Sequence, residues 1–319
     1  VEYGFASPKH REFPPMVVVS IVNFCNLRCV HCHYPRFAAR PDFRRHSMEW
    51  DLWQKLCDEI AAHPWAILNL GTDGEPLLHK RLLDMLRYAK AQGISPINIT
   101  TNGVRLEGEL AETLLREGLL DVINISLDAF SEEAYRRIRG GSYKRVLRNT
   151  LYLIELRDRL NPRAKIQVNI IDQPEVSGEL ERFVEYWTPR VDNVLVRTFY
   201  GATSVTGATG PDPTGKQKAF EPVERWPCQQ FWRRFNVADD GVARFCVDDW
   251  YNVTRVGDLR EATVAEIWQG AEYERLRELH RTGQFHKIPY CAKCTEWQGM
   301  KWDYDYFVAL EKMLGRKML

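Results

Sequence analysis

Three cysteines, Cys25, Cys29 and Cys32, stand at a C-x3-C-x2-C spacing in the run Cys25-Asn26-Leu27-Arg28-Cys29-Val30-His31-Cys32. Thiolates are ligands for soft metals and for iron–sulfur clusters. Three on one short loop can hold three irons of a cubane, which leaves the fourth iron open to a ligand that is not protein. Zinc is the other reading. Its sites usually pair C-x2-C knuckles and close at four ligands, and an x3 gap followed at once by x2 fits that poorly. Four more cysteines, Cys228, Cys246, Cys291 and Cys294, lie late in the chain, with Cys57 left over from a total of eight. Four thiolates suffice for one fully ligated [4Fe–4S] cluster, or for a structural zinc.

At the first three cysteines the chain resembles the radical S-adenosylmethionine (SAM) enzymes, whose signature is C-x3-C-x-aromatic-C. Here His31 takes the aromatic place. The resemblance implies that the open iron chelates SAM through its amino and carboxylate groups. His31 and His33, beside Cys32, read as residues on the adenine side or supporting the ligands, with direct ligation as the alternative. Gly74-Glu75-Pro76 resembles the G-G-E-P stretch that meets the methionyl amino group, although Asp73 replaces its first glycine. Thr101 and Asn102, and Ser126 and Asp128, sit at later strand ends, where they are candidates for the ribose or carboxylate of SAM. Gly241-Val242-Ala243-Arg244-Phe245-Cys246 has the form G-x4-C. With Cys228, Cys291 and Cys294 it resembles the C-terminal twitch or SPASM-like domains that hold one auxiliary [4Fe–4S] cluster.

These residues need a frame. The apolar, β-branched run Met16-Val17-Val18-Val19-Ser20-Ile21-Val22 reads as a strand delivering the cysteine loop, which extends to about 46. Ser47 reads as the N-cap of a helix over 48–62 that contains Cys57. Strands then alternate with helices: strand 65–70, helix 78–92, strand 96–100, helix 107–117, strand 121–127, helices 131–138 and 143–159, strand 164–171, helix 177–187 and strand 191–199. Such alternation predicts an α/β fold with a parallel sheet, and the six units predict a partial (βα)6 barrel. The loops after the strands gather at one rim, where α/β folds place their chemistry.

Residues 1–199 form this barrel in the expected organisation. Residues 200–226, rich in Gly, Thr, Ser and Pro at first, read as a linker, either a lid or a plain spacer. Residues 227–319 form a small cluster-binding domain: a hairpin over 233–247 turning at Asp239-Asp240-Gly241, helices over 263–269 and 271–281, and a C-terminal helix over 300–315. The tryptophans crowding this domain read as a core shielding its cluster, with sugar stacking by one or two as the alternative.

A net charge of +1 makes no electrostatic case for nucleic acid or a membrane surface. No apolar run approaches the length of a membrane span, and residues 1–15 do not read as a signal peptide. Cysteines at metal-type spacings point to a reducing cytoplasm. No Gly-rich nucleotide-phosphate motif appears, which argues against NAD or ATP as the main cofactor.

The resemblance implies reductive cleavage of SAM to a 5′-deoxyadenosyl radical, with electrons from a partner such as flavodoxin or ferredoxin. A fully ligated auxiliary cluster cannot bind substrate through an open iron, but it can accept an electron. The expected reaction is therefore dehydrogenation of a hydroxylated small molecule (a sugar, aminocyclitol or aminoglycoside) to a ketone. Arg197 on the last barrel strand is the first candidate to face the substrate hydroxyl, as a proton-handling or anchoring group. Asp248, Asp249 and Tyr200 follow it. The rival is epimerisation with a cysteine as hydrogen donor; only Cys57 is spare for that, unless the second cluster uses three cysteines and frees Cys246 or Cys228. Peptide modification is a third reading, against which stands the lack of an obvious leader-binding segment before residue 16. A non-catalytic cluster or zinc scaffold is the reading from outside enzymology.

Overall fold

The computed structural model describes residues 3–198, 224–302 and 306–319. Six strands form the parallel part of one sheet: β1 (Met16–Val19), β2 (Ile67–Leu70), β3 (Ile97–Thr101), β4 (Val122–Ser126), β5 (Lys165–Asp172) and β6 (Asn193–Thr198). Each neighbours its predecessor in register, as in Val18↔Asn69, Asn69↔Asn98 and Asn124↔Gln167. The helices between them are those that the alternation demands. The longest are Trp50–Ala61, Leu82–Ala91 and Tyr143–Leu160.

The strand pleat separates two environments. Val17, Leu68, Ile99, Ile123 and Val168 point outward into the large core shared with the helices. The alternate positions point inward, and they are of two kinds. At the floor, Met16, Val18, Ile67 and Val122 pack with Phe307, Leu310, Met313 and Met318. Above the floor the wall carries amides: Asn69, Asn98, Asn124, Gln167, Asn169 and Asn193. On β4 to β6 they bond to one another. Gln167 Nε2 and Asn169 Nδ2 donate to Asn124 Oδ1 at 3.1 and 3.0 Å, and Asn193 Nδ2 donates to Gln167 Oε1 at 2.5 Å. Both amide atoms of Asn98, which is fully buried, have no hydrogen-bond partner among the described residues.

The expected hairpin is present as β7 (Phe235–Val237) and β8 (Val242–Arg244), and β9 (Arg255–Asp258) adds to it. Its placement departs from a self-contained second unit. β7 pairs in parallel with β1, at Val17↔Phe235 and Val19↔Val237, so a single sheet of order β6-β5-β4-β3-β2-β1-β7-β8-β9 spans barrel and hairpin. The physical reason is that β1, which starts the barrel, would otherwise expose a row of unpaired backbone groups along its free edge.

Other departures are local. Glu49, not Ser47, precedes the helix Trp50–Ala61, because Ser47 is taken up in a bridge to Val22. A 3-10 turn, Pro76–Leu78, comes before the next helix, so that helix starts at Leu82. The C-terminal helix, Tyr306–Leu314, leaves the cluster-binding residues and closes the barrel floor. Most of the stretch 200–226 lies outside the described residues, as does Tyr200.

Candidate active site

The cysteine loop leaves β1 and is held by the neighbouring strand ends. Gly74 lies beneath it with φ +68°, and a Cβ there would come within 2.5 Å of Val22 O and 2.7 Å of Phe24 O. Glu75 N donates to Phe24 O at 2.9 Å. Glycine is thus required for close approach, but the approach is to the backbone of the cysteine loop. The Glu75 carboxylate is buried and occupied by neighbouring rim groups: Oε1 accepts from Thr101 Oγ1 (2.6 Å) and Leu77 N (3.1 Å), and Oε2 from Asn102 N (2.8 Å). Pro76 opens the 3-10 turn that follows. Thr101 and Asn102 therefore join β3 to the Glu75 loop. Asn102 reaches further, its Nδ2 donating to Asn26 Oδ1 at 2.7 Å and lying 3.7 Å from Cys25 Sγ.

The three sulfurs receive N–H donors suited to thiolates. Leu27 N lies 3.4 Å from Cys25 Sγ, Tyr34 N lies 3.4 Å from Cys32 Sγ, and Arg139 Nη1 lies 3.6 Å from Cys29 Sγ. Burial pushes all three thiols up, Cys25 to about 12, and their charges act on one another. Such thiols deprotonate when a metal binds them. Three sulfurs with donors in place, Cys29 buried and Cys25 and Cys32 half-buried, on one loop at a barrel rim, fit a cluster with one iron left for a further ligand.

Arg139, at the end of the helix Glu132–Arg139, is a residue that the sequence reading missed. Burial alone would lower its pKa, but facing Cys29 and Asp128 hold it charged. Its Nη2 stands 3.2 Å from Asp128 Oδ2, and His31 Nε2 stands 3.6 Å from the same oxygen. Asp128 itself has φ +56° and accepts from Ile171 N at 3.1 Å. His31, Asp128, Arg139 and Cys29 therefore form one connected group. Ser126, half-buried two residues earlier at the end of β4, accepts from Asn169 Nδ2 at 3.3 Å. Only the fixed distance of Arg139 from an aspartate at a strand end gives it away, and that signal is invisible without the fold.

The later cysteines also gather. Burial pushes each of Cys228, Cys246 and Cys291 up, Cys228 to about 12, and Cys294 adds to the rise at all three. Cys291 acts on Cys246, and Cys228 on Cys291. Cys228 N donates to His280 Nδ1 at 3.2 Å. Among the described residues no group of three or more His, Cys, Asp or Glu forms a site for a single ion. A cubane makes a different demand, one thiolate on each of its irons. Cys57 is fully buried in the outer core, on the helix Trp50–Ala61.

Arg197 lies on β6, exposed, and its charge reaches Asp248 and Glu296. Burial raises the Asp248 carboxyl, with Arg197 pulling the other way. Burial, then Asp248, raise Glu296 to about 8. Arg197, Asp248 and Glu296, two residues past Cys294, thus lie near enough for their charges to act on one another. Asp249 has a different occupation. Its Oδ1 accepts from Tyr251 N (2.9 Å) and its Oδ2 from Thr254 N and Oγ1 (2.6 and 2.8 Å), so the carboxylate holds its own loop.

A parallel partial barrel with a cysteine loop at its rim, followed by a second cysteine set, defines a cluster protein of the SAM-binding kind. Residues 19–171 match the model of the radical SAM superfamily, and residues 228–295 match that of an iron–sulfur cluster-binding domain. The chain carries a radical SAM domain followed by a SPASM domain, and its cofactors are SAM, the [4Fe–4S] cluster that binds it and an auxiliary [4Fe–4S] cluster. Among curated relatives, GTP 3′,8-cyclase of Lactiplantibacillus plantarum is 37% identical over 158 residues, covering 49% of this chain and 45% of that protein. The chain spans about half the length of the first curated relatives it matches. Streptococcus suis SuiB bound to precursor peptide SuiA superposes with a TM-score of 0.68 at 15% identity, covering 90% of this chain and 72% of that one. BtrN in complex with AdoMet and 2-DOIA gives 0.57 at 15% identity, over 88% and 92%. At these identities the structures share the fold.

Proposed function

We propose that this protein is a radical SAM dehydrogenase that oxidises a carbinol carbon of a hydroxylated small molecule to a ketone, in a reducing, cytoplasmic setting with a flavodoxin- or ferredoxin-like electron donor. When bound, SAM on the first cluster supplies a 5′-deoxyadenosyl radical that takes a hydrogen atom, and the auxiliary cluster supplies an acceptor for the electron left on carbon. Cys25, Cys29 and Cys32 would hold the first cluster, and Cys228, Cys246, Cys291 and Cys294 the second. The proton of the hydroxyl needs a nearby acceptor. Asp248, with Arg197 and Glu296 beside it, is the group assigned to receive or relay it.

The observation that carries this reading is the four later cysteines, of which Cys291 and Cys294 share one turn (Cys294 N to Cys291 O, 3.1 Å) and all four lie near enough for their charges to act within the set. A set of four supports a cluster with no iron open to substrate, hence an electron acceptor. Epimerisation needs a spare thiol at the substrate, and Cys57 is fully buried in the outer core instead. The inward wall also bears on the substrate. Its described middle tier is amide-rich, which suits hydroxyl groups, whereas a triphosphate such as GTP calls for arginine and lysine. The cyclase relatives therefore guide the fold and cofactors more than the substrate.

The test is anaerobic reconstitution followed by turnover with candidate cyclitols, aminoglycosides and sugars, with GTP and peptides as rivals. Dehydrogenation is expected to give 5′-deoxyadenosine and a carbonyl product in equal amounts. Stoichiometric solvent deuterium at an inverted carbon would identify an epimerase. Product from GTP alone would replace the proposal with cyclisation.

A further inference from the structure

Arg225 stands shortly before Cys228 and belongs to none of the roles assigned above. It is half-buried, and its guanidinium carbon lies 4.3 Å from the ring centroid of Phe285 and 5.6 Å from that of Trp297. Trp297 is itself buried, and Trp226 meets it edge-on at 4.6 Å. Arg225 Nη1 donates to Cys291 O at 2.9 Å. Cys294 N donates to the same oxygen at 3.1 Å. One carbonyl of the second cysteine set thus receives both the guanidinium and the next cysteine.

The guanidinium lacks a counter-ion. Its polar and ring contacts among the described residues are a carbonyl oxygen and two aromatic faces, none of them a carboxylate. Its Nε is buried with no hydrogen-bond partner among those residues. A charge removed from water in this way is costly unless an opposite charge faces it.

The second cysteine set supplies that charge. Arg225 acts on Cys228 and Cys291, against the effect of burial at both. Arg234 also acts on Cys228, but it acts on Asp248 as well, so its charge has an acid to answer. Asp248 works in the opposite sense at Cys246. His280 Nδ1 accepts from Cys228 N at 3.2 Å, so that nitrogen carries no proton and the ring is neutral. Thiolates around a [4Fe–4S] core make an anion, and an added electron deepens its charge. A fixed positive charge beside it therefore favours the reduced form. Arginine holds that charge at every pH at which the protein is folded.

We propose that Arg225 sets the reduction potential of the second cluster: its guanidinium, fixed to Cys291 O and backed by Phe285 and Trp297, raises that potential and favours uptake of an electron there. The purpose of this device rests on the oxidation proposed above. There the carbon radical is oxidised to the ketone, its hydroxyl proton goes to the acceptor already named, and the core takes the electron, passing from [4Fe–4S]²⁺ to [4Fe–4S]⁺. The potential itself is measured with no substrate present.

The test is an EPR-monitored redox titration of the full chain loaded with both clusters. Cys29→Ala, which should keep only the second cluster, identifies its signal. Arg225→Gln should lower the midpoint potential of the second cluster by about 60 mV or more, which is about a tenfold shift in the ratio of reduced to oxidised cluster for a one-electron couple. The potential of the first cluster should stay in place. Arg225→Lys keeps the charge and should keep most of the wild-type value. Arg225→Met carries the test if Arg225→Gln does not take up the second cluster. The proposal fails if the charge-free variants hold the wild-type potential, or if Arg225→Lys falls as far as they do. It also fails if neither charge-free variant retains the second cluster, since Arg225 is then a packing residue only. A wild type that shows the expected potentials yet forms no carbonyl product would overturn the oxidation and not the role of Arg225.

Discussion

At the scale of single residues, Gly74 has the narrowest tolerance at the rim. Alanine there meets two carbonyl oxygens and a left-handed backbone at once. Gly74→Ala should cost about 3–5 kcal/mol of stability or push the cysteine loop out of place. Iron content after reconstitution and the melting temperature would read the two outcomes separately. His46 gives a pH-dependent case. Its hydrogen bond to Asp239 raises the imidazole pKa above the ordinary 6.5. A raised histidine pKa stabilises the fold fully below the ordinary value, and the gain is lost as pH rises through the raised one. Wild type and Asp239→Asn should therefore differ in melting temperature at about pH 5.5 and draw together by about pH 9. A difference independent of pH would show that Asp239 acts through its turn and not through His46.

Between elements, the ion pair of Asp73 with Arg244 fastens β8 to the loop after β2, and both side chains are buried. Arg244 also donates to Asp249 O, so one guanidinium ties three segments. Burial raises the Asp73 carboxyl towards about 6 although Arg244 opposes the rise. Removing one partner leaves the other charge buried, so Arg244→Met should destabilise by about 3–5 kcal/mol. Asp73→Gly made together with Arg244→Met should recover part of that loss. A denaturation double-mutant cycle measures the coupling, and a double variant worse than Arg244→Met alone would contradict it. This pair also shows where the sequence is readable. The cysteine spacing, the strand–helix alternation and the hairpin turn at Asp239-Asp240-Gly241 are local patterns, and each is in the structure where it was expected. The parallel pairing of β7 with β1 joins residues far apart in the chain, as do the contacts of Asp73 with Arg244 and of Arg139 with Cys29. No local propensity encodes them. Asp73 reads as a departure from a glycine motif until Arg244 is seen beside it. The C-terminal helix was legible as a helix, but its place under the barrel was not. Phe307 is fully buried on that floor against Met16, Val18, Ile67 and Val122, and Phe307→Ala should cost about 3–5 kcal/mol in chemical denaturation.

Over the whole molecule, one continuous sheet carries both cysteine sets, yet each set sits on its own elements, so the clusters can be removed separately. The sulfurs of each set are held by different elements. Cys25, Cys29 and Cys32 depend on the rim loops of β1 to β4. Cys228, Cys246, Cys291 and Cys294 depend on the hairpin and the turns around the short helix Pro289–Ala292. Two [4Fe–4S] clusters correspond to about 8 irons per chain, and loss of either set should leave about 4. Cys29→Ala should lose the first cluster and all SAM cleavage while retaining the auxiliary one. Replacing Cys246 and Cys294 together should do the reverse: SAM cleavage under strong reductant persists, but oxidised product disappears because the electron has no acceptor. Iron analysis, Mössbauer spectra and 5′-deoxyadenosine yield read these arms independently. If the double variant still forms a carbonyl product at the wild-type rate, the auxiliary cluster is not the electron acceptor, and the oxidation proposed here loses its electron balance.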